Sequence, residues 1–170
     1  QAGGKGARSS HGHGRPICVK KFTPIIGQFC DDKLQRMKLK PYLEVDGLPF
    51  TVCRADLQRR HGAPLRERGN GIGLTELDYG DVVFRFQDGS GRLEEVTRRT
   101  PVLYLLLDGD VVDVPFAGLA AFVPAHDGAA FERAGFLVSP RFGLAFVPGQ
   151  PDWVTALAAH CIETWRALPN

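Results

Sequence analysis

An α+β fold, mainly antiparallel sheet with two short helices and a C-terminal amphipathic helix packed on it, is what this 170-residue chain predicts, and three features point to it. Val82, Phe84 and Phe86 alternate with Val83, Arg85 and Gln87, the period of two of a strand with one buried face. Asp88-Gly89 and Asp108-Gly109 each sit between two strand-like runs and so join neighbours antiparallel. Trp153, Leu157, Cys161, Trp165 and Leu168 recur at steps of four, four, four and three, the stripe of a helix lying on a sheet.

The elements follow in order after Met37, the sole methionine. Residues 39–45 predict a short strand, and Asp46-Gly47 a turn after it. A helix opens at Thr51 or Cys53 and runs through Ala55, Leu57 and His61; Gly62 takes the position that ends it and Pro64 lies beyond. Residues 66–73 form a polar, glycine-rich loop, and β pattern resumes from Leu77. Strands over 82–87 and 92–97 make a hairpin, and a strand over 102–107, apolar on both faces, is central. Residues 111–114 return across the Asp108-Gly109 turn, a second helix spans 116–123, and a loop passes through His126-Asp127-Gly128. A further strand covers 142–147; Pro151 and Asp152, both suited to a first helical turn, open the C-terminal helix. A faint duplication runs through this order. Leu48-Pro49-Phe50, a helix, a loop and a strand ending at Phe86 parallel Val114-Pro115-Phe116, a helix, a loop and a strand ending at Phe146, as two tandem helix-plus-meander units would.

Length and 44% apolar content suit one domain, placed at residues 37–170. Residues 1–36, rich in Gly, Ser, Lys and Arg with no apolar period, read as a disordered or non-native extension ahead of a natural start at Met37. No run reaches the roughly 18 to 20 apolar residues of a membrane span. The net charge of +2 divides unevenly: residues 1–36 hold seven basic and two acidic groups, the remainder 14 basic and 17 acidic. A mildly acidic body argues against nucleic acid, whose binders present a basic face. Four cysteines are too few and scattered for a disulfide framework; Cys53 and Cys161 read as small buried hydrophobes on helices, in a reduced, cytoplasmic-type protein.

Chemistry-bearing motifs are sparse. His11, His13, Cys18 and Cys30 are zinc-type ligands without paired spacing or an apolar frame, so no metal and no cofactor is assigned. Gly69-Asn70-Gly71-Ile72-Gly73 follows a helix and precedes a strand, the reverse of a phosphate-cradling loop. Ser90 and Ser139 lie in ordinary turns, and Cys53 and His61 stand about 12 Å apart along one helix, too far to act together, so no catalytic residue is assigned. His160 reads as a half-exposed helix position. Carboxylates form the most informative set: Glu76, Asp78 and Asp81 precede one strand, and Asp108, Asp110 and Asp113 bracket a hairpin. Turn chemistry and edge protection explain them. So does an acidic face that steers a basic partner, with Asp78, Tyr79, Asp81, Asp108, Asp110 and Asp113 as candidate contacts.

Leu48-Pro49-Phe50, Arg54-Ala55-Asp56-Leu57, His61-Gly62-Ala63-Pro64, Leu77-Asp78-Tyr79-Gly80 and Arg92-Leu93-Glu94-Glu95-Val96 together resemble the helix-then-sheet units of small bacterial proteins of β-lactamase-inhibitor-protein-like architecture. Gly143-Leu144-Ala145-Phe146 and the Trp153 segment are similar to immunity proteins encoded beside secreted bacterial toxins. The resemblance implies a non-enzymatic module that neutralises a cognate toxin or enzyme by occluding its site. The alternative is a small-molecule-binding domain or an enzyme with a site assembled from distant residues, which an apolar pocket with convergent polar groups would favour.

Overall fold

Strong period-two runs and turn residues at short intervals give a chain dominated by strands. The computed structural model describes residues 36–150 and 152–169. The expectations for residues 1–35, including the His11, His13, Cys18 and Cys30 set, lie outside the described residues. In order come β1 (Arg36–Lys40), β2 (Glu44–Val45), β3 (Leu48–Pro49), α1 (Arg54–His61), β4 (Arg66–Gly69), β5 (Leu74–Asp78), β6 (Val82–Gln87), β7 (Leu93–Arg99), β8 (Val102–Leu107) and β9 (Asp110–Pro115). They are followed by α2 (Phe116–His126), β10 (Phe131–Arg133), β11 (Phe136–Ser139), β12 (Leu144–Phe146), β13 (Trp153–Leu157) and α3 (Cys161–Ala167). No helix among the described residues is long and apolar enough to cross a membrane.

The strands make two sheets. One has five strands in the order β3-β2-β1-β8-β9, antiparallel except where β1 runs parallel to β8. The other has eight, in the order β10-β11-β12-β13-β7-β6-β5-β4, antiparallel throughout. Within the eight-stranded sheet, β4 to β7 follow α1 and β10 to β13 follow α2, and these two four-stranded meanders meet where β13 pairs with β7. The main core joins the two sheets: Met37, Leu39, Leu103 and Leu105 from the first, Leu77, Phe84, Val96, Leu144, Phe146 and Ala156 from the second, with Leu57 of α1 and Leu119 and Val123 of α2. A smaller cluster lies on the opposite face of the eight-stranded sheet. There Val138, Ala145 and Leu157 are covered by Cys161, Ile162 and Trp165 of α3.

Local signals placed several elements well. The helix over 54–61 stops at Gly62, whose φ of 80° is in the left-handed region that disfavours a side chain. The Asp108-Gly109 turn has φ of 51° and 94°, the paired positive angles of a tight hairpin, and β8 and β9 meet across it as predicted. Strand β8 is interior, with Leu103 and Leu105 buried and Tyr104 and Leu106 half-buried on its other side.

Four predicted elements differ. The strand over 39–45 is two strands, because the chain reverses at Pro41-Tyr42-Leu43, with Tyr42 at φ 64°. Its ring reaches across to lie against Gly143, where a Cβ would come within 2.8 Å, and its hydroxyl donates to the Pro140 carbonyl. The polar loop over 66–73 is half strand: β4 pairs with β5 as a sheet edge, and the Asn70 side chain closes the remaining turn by accepting from the Ile72 and Leu74 amides at 3.0 and 3.1 Å. Strands β10 and β11, short and separated by one turn, occupy a stretch for which the sequence predicts no element. The largest change is at the C-terminus. Residues 153–157 are a strand, and α3 is only seven residues long. Strand β13 sits between β12 and β7 with core on one face and α3 on the other, so Val154 to Leu157 are all buried. A short run buried on both faces offers no period by which a strand can be told from a helix. Cys53, expected to be a buried helical residue, is the exposed residue ahead of α1, whereas Cys161 is buried as expected.

Candidate functional site

Alternation along each strand of the large sheet sends one set of side chains into the main core and the other to the outer face. On that outer face the register lines up Arg68, Glu76, Arg85 and Glu95 on the neighbouring strands β4, β5, β6 and β7. Opposite charges on directly facing residues stabilise strand pairing. Arg68 Nε donates to Glu76 Oε2 at 2.7 Å, Arg85 Nε to Glu76 Oε1 at 2.8 Å, and Arg85 Nη1 lies 3.4 Å from Glu95 Oε2. The row ends at α3, where the Trp165 indole donates to Glu95 Oε1 at 3.0 Å. A second row crosses it: Arg85 Nη1 also donates to the Thr97 hydroxyl, which is 2.9 Å from that of Thr155 on β13.

The two central carboxyls respond in opposite directions. Burial alone would raise Glu76, but the hydrogen bonds and charges of Arg68 and Arg85 outweigh it and hold the group below the ordinary glutamate value. Glu95 is raised, because burial, with Glu94 and Glu76 adding to it, exceeds the help of Arg85 and the Trp165 indole.

Helix α3 is too short to roof the whole face. It leaves a groove of about 670 Å³ with Arg85, Glu95, Thr97 and Thr155 on its floor. Trp165 of α3, Leu168 just beyond it, Phe136 of β11, Trp153 of β13, Ile72 and Leu74 also line it. Ile72 is 77% exposed and Trp153 37%, so the rim presents apolar side chains to solvent.

At the α3 end the sheet brings together three metal-ligand types. Pairing of Glu95 with Leu157 sets Glu94 beside the turn that leads into α3, and the Ala158 amide donates to the Glu94 carbonyl at 2.9 Å. Glu94 Oε2 then accepts from Cys161 Sγ at 3.0 Å and meets His160 Nε2. Candidate ligand atoms of Glu94, His160 and Cys161 lie within 4.8 Å of one another. Burial, followed by the hydrogen bond to Glu94 and the charges of Glu94 and Glu95, pushes the Cys161 thiol far up, so it is a hydrogen-bond donor and not a thiolate nucleophile.

The six residues proposed from sequence fall in two places. Asp78 accepts from the Gly80 amide at 2.8 Å in the turn between β5 and β6; Tyr79 packs edge-on against Phe84 and donates to the Gly62 carbonyl at 3.0 Å; Asp81 is exposed in the same turn. Asp108, Asp110 and Asp113 belong to the β8–β9 hairpin of the other sheet, all exposed. None of the six lines the groove. Sequence reasoning missed Glu94 and the pairing of His160; instead of a half-exposed helix position, His160 is the exposed residue that precedes α3, and its partner lies 66 residues away. The adjacent His160-Cys161 pair was the one local signal. In comparisons with known proteins, no family model, curated protein or solved structure matches this chain.

Proposed function

We propose that this chain is a non-enzymatic protein-binding module of the immunity or inhibitor kind, which neutralises a toxin or enzyme by holding a segment of it in the groove on the eight-stranded sheet. The observation that carries this reading is a groove with aromatic walls and a self-paired floor. Arg85 is bonded to Glu76 and Thr97, and Glu95 to Trp165, so these side chains form a pre-organised polar surface. Exposed apolar side chains at the rim are what a partner surface would cover, and aromatic anchors such as Trp153 supply much of the energy at such contacts. Two helix-plus-meander units joined edge to edge, the tandem arrangement expected from the internal duplication in the sequence, would make the broad sheet that carries the groove. The acids at the β5–β6 turn and the β8–β9 hairpin, on separate sheets, would act as steering charges.

The groove's volume also falls in the range of about 300 to 1,000 Å³ typical of ligand pockets, which supports a second reading, a small-molecule-binding domain. Affinity capture with the tagged full chain, read by mass spectrometry, separates the two. One stoichiometric partner is expected, lost on Trp153→Ala or Ile72→Asp while the thermal midpoint stays within a few degrees. A partner that survives both substitutions removes the groove from the interface. Absence of any protein partner, with a midpoint raised by a small-molecule fraction of the same lysate, transfers the groove to the second reading.

A further inference from the structure

We propose that Glu94, His160 and Cys161 bind one divalent cation of the zinc class at the α3 end of the groove. The donors are a carboxylate, an imidazole and a thiol, a set that suits zinc and not calcium or magnesium, which take oxygen ligands. All three side chains come to one point, with ligand atoms within 4.8 Å of one another. Around a tetrahedral zinc at ordinary bond lengths such atoms stand about 3.3 to 3.8 Å apart, so rotamer adjustments of the imidazole suffice to close the site.

A second observation points to a ligand. Glu94 is 6% exposed, and its Oε1 is buried without a hydrogen bond. A buried carboxylate oxygen left unbonded is costly, and a cation is the partner that removes the cost most completely. Two other charges face it: the Arg92 guanidinium, 3.5 Å from Oε1, which opposes a cation, and the Glu95 carboxyl on the adjacent residue, which favours one. Arg92 is exposed and not hydrogen-bonded to Oε1, so it can swing clear into solvent. Binding converts the Sγ–H donor into an Sγ–metal bond, with one proton released to solvent per ion and no change of oxidation state. Glu94 and Cys161 both line the groove, whereas His160 approaches from outside it, so a fourth coordination position opens toward the groove and takes water or a donor atom from whatever lies there.

Cobalt(II), a spectroscopic stand-in for zinc, titrated into the purified full chain tests the site without any partner, and so independently of the protein-binding reading. One equivalent is expected to produce a thiolate-to-cobalt charge-transfer band, which one equivalent of zinc then abolishes. Cys161→Ser should remove the band. His160→Ala, a change at an exposed position that spares the core, should weaken cobalt binding at least about tenfold. The tail variant His11→Ala/His13→Ala/Cys18→Ser/Cys30→Ser should keep the band intact. Absence of the band in the wild type overturns the proposal. So does a band that survives Cys161→Ser or His160→Ala undiminished, or one lost in the tail variant.

Discussion

Asp127 shows how much one buried carboxylate can organise. Its Oδ1 accepts from the Ala129 amide at 2.9 Å, and its Oδ2 accepts from the Ser139 hydroxyl at 2.6 Å and the Arg141 amide at 2.9 Å. The residue that ends α2 is thereby tied to the turn between β11 and β12. Sequence placed Asp127 in a loop by its His-Asp-Gly context, but the count of its partners depends on a turn twelve and more residues away. Burial alone would raise this carboxyl; the Ser139, Arg141 and Ala129 donors outweigh it and hold the group below the usual aspartate value. The folded state therefore binds the proton less tightly than the unfolded one. Its contribution is full above the unfolded value near ~4 and is lost as pH falls through the lower folded value. Asp127→Ala is expected to cost about 3 kcal/mol in urea unfolding at pH 7, since three donors lose a charged acceptor. A loss under about 1 kcal/mol would mean water replaces it without penalty.

At the scale of the element, the charge row across β4 to β7 and the helix that ends it act together. Glu95 on β7 and Glu76 on β5 flank the same strand β6, yet burial raises the first and two arginines lower the second. For Glu95 the folded form holds its proton more tightly, so stability falls as pH rises from the ordinary glutamate value to the raised one. For Glu76 stability is instead lost as pH falls below the ordinary value. Carboxyl ¹³C titration should place Glu95 above and Glu76 below the unperturbed midpoint; the reverse order would break the proposed pairing. Helix α3 has few residues of its own to sustain it, and its hold on the sheet comes from Trp165, which is 9% exposed and meets Phe136 edge-on at 5.1 Å between centroids. Trp165→Ala should destabilise the fold by roughly 3 to 5 kcal/mol, measured by denaturant unfolding, because it opens a cavity and unpairs Glu95 Oε1. A nearly silent substitution would show that α3 is not needed to close the outer face.

For the whole molecule, the acids expected to steer a partner stand on different sheets, so they influence encounter and not one local contact. Asp108→Lys/Asp110→Lys is expected to slow association with the captured partner and to flatten its salt dependence while dissociation changes little, as stopped-flow or surface kinetics would report. Unchanged association would remove the hairpin from the encounter. The same division between local and distant interactions separates what could be foreseen from what could not. Sequence by itself determined the α+β class, the strands over 82–87 and 102–107, the hairpin at Asp108-Gly109 and the helix that stops at Gly62, because each depends on dihedral preferences and alternation within a few residues. Only the tertiary structure decided that residues 153–157 are a strand, that β1 runs parallel to β8, and that Glu94 meets His160 and Cys161. These outcomes rest on contacts across 54 to 67 residues, where burial on both faces of a strand overrides a helical stripe and pairing of β7 with β13 assembles ligands that share no spacing in the chain.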